Sequence, residues 1–488
     1  MIKMHICIIG TGAAGWLACN LLKRNKTKNI EKITIIGSPE IPSIGVGESN
    51  TLTLNNIHAS MNIDLNEFVH ESDAALKYGV LYDGWSKNKF LHFFKGDQLW
   101  NELAINYGDY GKTLANKPTD VNISDIYGEY LTSCALQNRI CRNQLYYPYS
   151  WHFDAGLYIK FLSKLALKDK KVSLIHDTVI DCEFEEDEKI KKIFLKERGA
   201  IEADYYIIAT GSTQLNEKVL KQEYHDLSDI LLTNKALFLP LKYTDKKKQF
   251  HPYTASKTMK HGWRWITPTY SRVGTGYVFS SNHVSEDEAI SELLNDIGDT
   301  SLSPNIVNFG AKYNKKTFKE NYCTIGMANG FLEPLDAPGL TLSMLVLGRL
   351  ETLLYQKSIM NDEHIFRSSR EIANDFIDKH YKFWSAFILC QYKTCMRNDT
   401  DFWADHKNVK YDYYDFVMES LDFSEDPNYG MLYHTIAGKD VQWKTPYDSL
   451  PFKVPDAIVE TMDHLEFIEQ VRKRYKEKTD PSSQNIWK

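Results

Sequence analysis

The sequence predicts an α/β fold: a Rossmann-type half built on a parallel sheet, intergrown with a second lobe and followed by a helical C-terminal region. Three observations predict it. The apolar run Met4–Ile9 meets the glycine-rich turn Gly10-Thr11-Gly12-Ala13-Ala14-Gly15. Helix-forming sequence to about Arg24 and a β-rich run at Ile33–Ile36 follow, the length of one β-α-β unit. A second apolar run, Tyr205–Ile208, ends in Ala209-Thr210-Gly211. From Leu340 to about residue 475 the apolar spacing becomes helical.

Each element has its reason. Met4–Ile9 and Tyr205–Ile208 are apolar without alternation, as strands buried on both faces are. The helix-like sequence after Glu48-Ser49 runs through Ala75. Val172–Glu183 and Ile190–Leu195 read as strands around the acidic turn Glu185–Glu188, and Val278–Ser280 reads as another. Residues 97–150 are aromatic and polar with weak periodicity, which predicts an irregular insertion. The expected organisation is a core over residues 1–345 carrying that insertion, a helical substrate-covering region over 346–475, and a loose tail over 476–488.

Composition excludes several functions. Hydrophobic residues make up 43% and charged residues 25%, enough for a full core and too apolar for a disordered chain. A net charge of −6 without a basic cluster gives no reason to expect nucleic acid. No run of 18 apolar residues exists, so no membrane span is expected. The eight cysteines include no C-x-x-C pair and no zinc spacing; they read as reduced thiols of a cytoplasmic protein that holds no metal. A homo-oligomer is compatible with the sequence.

Two motifs carry chemistry. In a G-x-G-x-x-G turn the first glycine permits the turn, the second lets backbone approach a pyrophosphate, and the third packs helix on strand. The helix that starts at Ala13 and Ala14 then points its free N–H groups at the phosphates. The acid expected at the end of the second strand is missing. Gly37 stands there, with Ser38 and Glu40 nearby as substitutes, which predicts a loosely held cofactor. The second motif is Gly262-Trp263-Arg264-Trp265-Ile266-Thr267-Pro268, whose two indoles make a rigid wall or an aromatic core cluster.

Together these motifs resemble the flavin-dependent halogenases of the tryptophan halogenase family, with Thr267 where the family has Ile. The resemblance runs from residue 5 to about 405. It implies a glutathione-reductase-like FAD-binding fold. Glu202–Gly211 is similar to the A-D-x-x-I-x-A-T-G strand of such flavoproteins, and Gly326 through Glu333, Pro334 and Leu335 to the stretch that wraps the flavin. No second G-x-G-x-x-G would seat a nicotinamide, so reduced FAD is expected in trans from a flavin reductase. The family's flavin-adjacent loop is matched by Gly45, Val46, Gly47 and Glu48.

The resemblance also implies roles. Lys77, in Asp73-Ala74-Ala75-Leu76-Lys77-Tyr78-Gly79, matches the lysine required for halogenation. Trp263 and Trp265 match the barrier between flavin and substrate. Asp336 stands where the family has a catalytic Glu, one methylene longer. Pro338 and Gly339 align with the residues whose backbone N–H groups hold halide, and proline has no N–H. Bromide or iodide is therefore expected over chloride. Tyr392, Arg397, Asp399, Phe402 and Trp403 match a family pattern read as structural. The implied reaction uses reduced FAD, O2 and halide to make hypohalous acid, which Lys77 relays to a small electron-rich aromatic, an indole or a phenol. The competing readings are an FAD-dependent aromatic monooxygenase and a degenerate flavin-binding protein.

Overall fold

The computed structural model describes residues 3–24, 29–41, 48–86, 89–93, 135–141, 149–185, 189–211, 215–359, 363–420 and 461–479. Five parallel strands form the first sheet, in the order Tyr322–Thr324, Tyr205–Ile208, Met4–Ile9, Ile30–Gly37 and Val172–His176. Its central strands are buried on both faces, as their unbroken apolar runs require. The first helix spans Ala13–Lys23, with Arg24 as its C-cap, and packs on helix Ala155–Ala166. The expected strand at Val172–Glu183 is two strands: Val172–His176 stays in the parallel sheet, and Val179–Phe184 leaves for an antiparallel meander with Ile190–Leu195 and Gly199–Ile201.

The second lobe is a seven-stranded sheet: Asn305–Asn308, Lys235–Leu241, Val273–Phe279, Gly262–Pro268, Thr254–Met259, Gly79–Asp83 and Phe90–Phe93. Its pairs are antiparallel except where Thr254–Met259 meets Gly79–Asp83. Helix Glu286–Ile297 covers one face. Its ends are written in the sequence: Ser285 and Glu288 form a capping box, and Gly298 takes the left-handed C-cap at φ 82°. The helix-like stretch before Ala75 is two short helices, Thr53–Ser60 and Leu65–Glu71, followed by strand Ala75–Lys77. That strand pairs with Ser150–Phe153, whose other edge takes Glu48–Ser49.

Helices Pro338–Ile359 and Glu363–Thr394 pack on each other, and Asp401–Asn408 and Asp412–Ser420 pack on the second of them. A boundary at residue 345 falls inside the first of these helices. The largest core cluster contains residues of the first helix, the tryptophan strand and both long helices, so the lobes share one interior. The C-terminal helix His464–Thr479 extends four residues into the expected tail, anchored by Tyr475 on Glu71 at 3.0 Å and Lys478 on Asp64 at 2.8 Å. Of the 97–150 insertion, only 135–141 and 149–150 are described; there Arg139–Cys141 pairs with Thr461–Asp463. Residues 480–488 lie outside the described residues. Among the described residues no helix is long and apolar enough to cross a membrane, and no group of three or more His, Cys, Asp or Glu is placed to hold a metal.

Candidate active site

The three glycines of the first turn have different surroundings. Gly10 lies at φ 119°, and a Cβ there would stand 2.2 Å from the Ala209 carbonyl oxygen. A Cβ on Gly15 would stand 2.1 Å from the Gly10 carbonyl oxygen, so strand and helix touch through bare backbone. A Cβ on Gly12 would meet nothing within 4 Å. Gly12 is the N-cap of helix Ala13–Lys23, whose first turn carries no acidic residue and whose cap makes no side-chain hydrogen bond. The helix start thus borders open space at Gly12, and its first N–H groups have no side-chain cap, which fits a dinucleotide pyrophosphate. Gly326, at φ 62°, approaches the same turn: a Cβ there would stand 3.0 Å from Ala14 Cβ.

The acid missing at Gly37 has a steric explanation. A Cβ at Gly37 would lie 2.5 Å and 2.6 Å from the Thr11 side chain, which fills that space. The two nearby substitutes are engaged elsewhere. Ser38 bonds the Thr178 hydroxyl at 2.8 Å, and Glu40 pairs with Lys196.

Lys77 ends its three-residue strand opposite Ser150 and is 1% exposed. Its Nζ donates to the Asn50 carbonyl at 3.1 Å. Burial lowers its pKa to about 8, and Asp336 opposes part of that shift. The strand is held on several sides. The Leu76 N–H donates to His464 Nε2 at 3.1 Å, and the Tyr78 N–H to the Pro252 carbonyl at 2.8 Å. The Asp73 carboxylate accepts from Thr269 Oγ1 and from the Ser271 N–H and hydroxyl at 2.6–2.9 Å.

Trp263, Trp265 and Thr267 alternate along strand Gly262–Pro268 and share one face, while Arg264 on the other face pairs with Asp296 at 2.7 Å. The indole centroids lie 6.3 Å apart at 60°. Gly276 makes room for Trp265: a Cβ there would meet the indole ring at 2.1 Å. Both tryptophans, Lys77 and Asp336 line one cavity of about 240 Å³. Its mostly apolar wall continues through Phe238, Phe309, Phe331, Leu335 and Met327 to Gly339 and Leu340. Met327 adjoins Gly326, so this wall reaches the residue that faces the glycine turn.

Asp336 receives the Tyr82 hydroxyl at 2.5 Å on one oxygen, and the His92 Nδ1 lies 3.7 Å from the other. Asp336 and Ala337 sit at φ 59° and 57°, two successive non-glycine residues in the left-handed region. Each costs about 1–2 kcal/mol there. Glycine at 337 regains that and loses about 0.4–1 kcal/mol through the freer unfolded chain. Ala337→Gly is therefore expected to stabilise the protein by about 0.5–1 kcal/mol in urea unfolding; a lower midpoint would show that the turn holds no strain.

Pro338 opens helix Pro338–Ile359 at the first helical position, where its missing N–H has no intrahelical acceptor in any case. A Cβ on Gly339 would meet nothing within 4 Å, so its backbone borders open cavity. Glu333, expected beside the cofactor, is held by protein donors. It is fully buried, with its oxygens accepting from Thr233 at 2.5 Å and Tyr392 at 2.9 Å and 3.0 Å. Burial raises its pKa to about 7, against the pull of those donors.

Gly45, Val46 and Gly47 lie outside the described residues, and of Glu48 only its backbone pairing with Phe153 is described. The pattern read as structural is so engaged: Arg397 grips Asp399 at 2.6 Å and 2.9 Å, and Arg397 and Trp403 both donate to the Met259 carbonyl. Sequence reasoning missed Tyr82 and His92, the partners of Asp336. The run Phe90-Leu91-His92-Phe93 carried no spacing that tied it to residue 336.

The family model described as tryptophan halogenase matches residues 5–424. The chain belongs to the tryptophan halogenase family. Tryptophan 7-halogenase RebH of Lentzea aerocolonigenes is 26% identical over 460 residues, covering 90% of this chain and 84% of that protein. Tryptophan 6-halogenase ThaL of Streptomyces albogriseolus is 26% identical over 430 residues, covering 83% and 79%. The solved tryptophan halogenase of Shewanella frigidimarina superposes with a TM-score of 0.77 at 22% identity, over 99% of this chain and 95% of that one. As a tryptophan halogenase family member the chain is a flavin-dependent halogenase, and FAD is the cofactor that membership implies.

Proposed function

We propose that this halogenase takes reduced FAD from a separate flavin reductase and uses O2 and a halide, bromide or iodide over chloride, to halogenate a small electron-rich aromatic substrate, an indole or a phenol. The named relatives act on tryptophan, which supports an indole. When bound, reduced FAD would supply two electrons and two protons, which with O2, halide and one further proton give hypohalous acid and water. Gly10, Gly12, Ala13, Ala14, Gly15 and Gly326 would hold the cofactor, and Leu335 would border it. Trp263 and Trp265 keep the aromatic substrate away from it and let only a small oxidant pass.

The observation that carries this reading is the placement of Lys77: a buried amine on the wall shared by Trp263, Trp265 and Asp336. With its pKa near 8 the ammonium predominates at pH 7 and donates to the oxygen of hypohalous acid. Transfer of halogen to the ring then releases that oxygen as water, carrying the oxidant's own proton and one from Lys77. Asp336 accepts the proton that the ring loses.

A panel decides the reading. The protein with a flavin reductase, O2 and chloride, bromide or iodide is given tryptophan, indoles and phenols, and product mass is measured. Gain of halogen is expected. Gain of oxygen means a monooxygenase, and no product with any pair means a degenerate flavoprotein.

The halide preference rests on Pro338. One N–H donated to an anion contributes about 1.5–3 kcal/mol, and chloride, the most strongly hydrated of the three, needs it most. Pro338→Ser restores the donor and is expected to raise chloride use relative to bromide about tenfold. An unchanged ratio in competition assays would remove Pro338 from halide selection.

A further inference from the structure

Three strands meet at the lysine, and a chain of side-chain hydrogen bonds crosses them. His152 is fully buried. Its Nδ1 lies 3.1 Å from the Pro268 carbonyl oxygen, and its Nε2 lies 2.8 Å from Thr254 Oγ1. Thr254 Oγ1 lies 3.0 Å from Ser49 Oγ. Ser49 and Thr254 both line the cavity that holds Lys77 and Asp336.

The direction of each bond is forced. A carbonyl oxygen only accepts, so Nδ1 carries the hydrogen. Burial and the neighbouring Lys77 push the imidazole well below its ordinary pKa, so the ring is neutral and Nε2 is bare. Thr254 must then donate to Nε2, and its oxygen is left to accept from Ser49. The Ser49 proton is committed to Thr254, and its lone pairs remain for the cavity.

We propose that Ser49, fixed as an acceptor by Thr254 and His152, receives the O–H of hypohalous acid in front of Lys77 and so sets the direction in which the halogen points. The inference rests on the relay proposed above. Hypohalous acid has one hydrogen to donate and an oxygen that accepts. Lys77 serves the oxygen, and Ser49 serves the hydrogen. Lys77 donates to the Asn50 carbonyl, the residue after Ser49, so one hydrogen bond ties the donor to the strand end that carries the acceptor. One Asp336 oxygen already receives the Tyr82 hydroxyl, and the carboxylate stays available for the ring proton. Thr254 and His152 are positioning residues. A role limited to tying strands together would leave the halogenation ratio of the folded variants unchanged.

The test uses the holoenzyme with reduced FAD, O2, bromide and an indole, and free methionine in solution to trap escaping hypobromite as sulfoxide. The readout is brominated indole per flavin oxidised, a ratio that does not depend on how much protein is folded. Ser49→Ala and Thr254→Val are expected to lower that ratio at least fivefold, with methionine sulfoxide rising to match, and Thr254→Ser to restore it. A Ser49→Ala protein with the wild-type ratio overturns the proposal, as does a Thr254→Ser protein no better than Thr254→Val. If Thr254→Val does not fold, Ser49→Ala decides alone, since Ser49 is only partly buried. A wild-type protein that brominates nothing overturns the relay itself and is recognised before any variant is made.

Discussion

Replacing Lys77 with methionine is expected to abolish halogenation and at the same time to stabilise the protein. The two effects have one cause. A fully buried amine whose pKa falls from 10.5 to about 8 is charged at pH 7 at a cost of about 3 kcal/mol. Methionine fills a similar volume without that charge. It also loses the hydrogen bond to the Asn50 carbonyl, worth about 1 kcal/mol, so the net gain at pH 7 is about 1–2 kcal/mol. The pH dependence has a definite sign. The folded pKa lies below the unfolded one, so between about pH 8 and 10.5 the unfolded chain holds more protons and wild-type stability rises with pH. Below pH 8 both states are protonated, and the cost is fully present. The advantage of Lys77→Met over wild type should shrink from pH 7 to pH 10 in urea melts. Its halogenation should fall at least about 10³-fold, because no other donor or amine is assigned to the oxidant. Activity within tenfold of wild type would remove Lys77 from the relay, and a variant less stable at pH 7 would show that the amine is better solvated than its burial indicates.

Lys77 also marks the limit of what the sequence discloses. Gly10 and Gly15 are legible because the G-x-G-x-x-G spacing is itself local, although the backbone that a Cβ on Gly10 would strike is that of the distant Ala209. Trp263 and Trp265 are legible because a period of two puts them on one strand face. The strand of Lys77 is not. Its three residues follow helix-like sequence, and what makes them a strand is Ser150 across the ladder and His464, 388 residues from Leu76, on its N–H. Only the family resemblance pointed to the lysine. Its burial came from the fold. The partners of Asp336 share this character: Tyr82 is 254 residues away and arrives through the parallel pairing of Gly79–Asp83 with Thr254–Met259. Glu333 is legible only as part of the stretch that resembles the flavin wrap; its partners Thr233 and Tyr392 lie 100 and 59 residues away and come from the fold. Residues 476–479 look loose because the last dozen residues are rich in Lys, Ser, Asn and Gln, yet they continue helix His464–Thr479, whose partners Asp64 and Glu71 lie on or beside helix Leu65–Glu71.

The glycine turn yields the second large effect, a contrast between two substitutions three residues apart. Gly12 has φ −74° and ψ −179°, extended backbone that any residue adopts, and nothing stands within 4 Å of its missing Cβ. Aspartate there would cap helix Ala13–Lys23, with a gain of about 1 kcal/mol in the protein without cofactor. The same carboxylate would stand where the pyrophosphate approaches. Two like charges at about 4 Å repel by about 4 kcal/mol at an effective dielectric near 20, so FAD affinity should fall at least about 10²-fold. Gly15 has no such freedom. The methyl group of Gly15→Ala would overlap the Gly10 carbonyl oxygen at 2.1 Å, backbone against backbone, and neither strand nor helix can move without uncoupling the parallel sheet from its first helix. That variant should lose more than about 3 kcal/mol or fail to fold. Thermal melts without flavin and fluorescence titration with FAD separate the two outcomes. Gly12→Asp that melts higher but binds FAD as tightly as wild type would mean that the cofactor's phosphates do not lie at this helix end. A well-folded Gly15→Ala would mean that strand and helix stand farther apart than their backbones indicate.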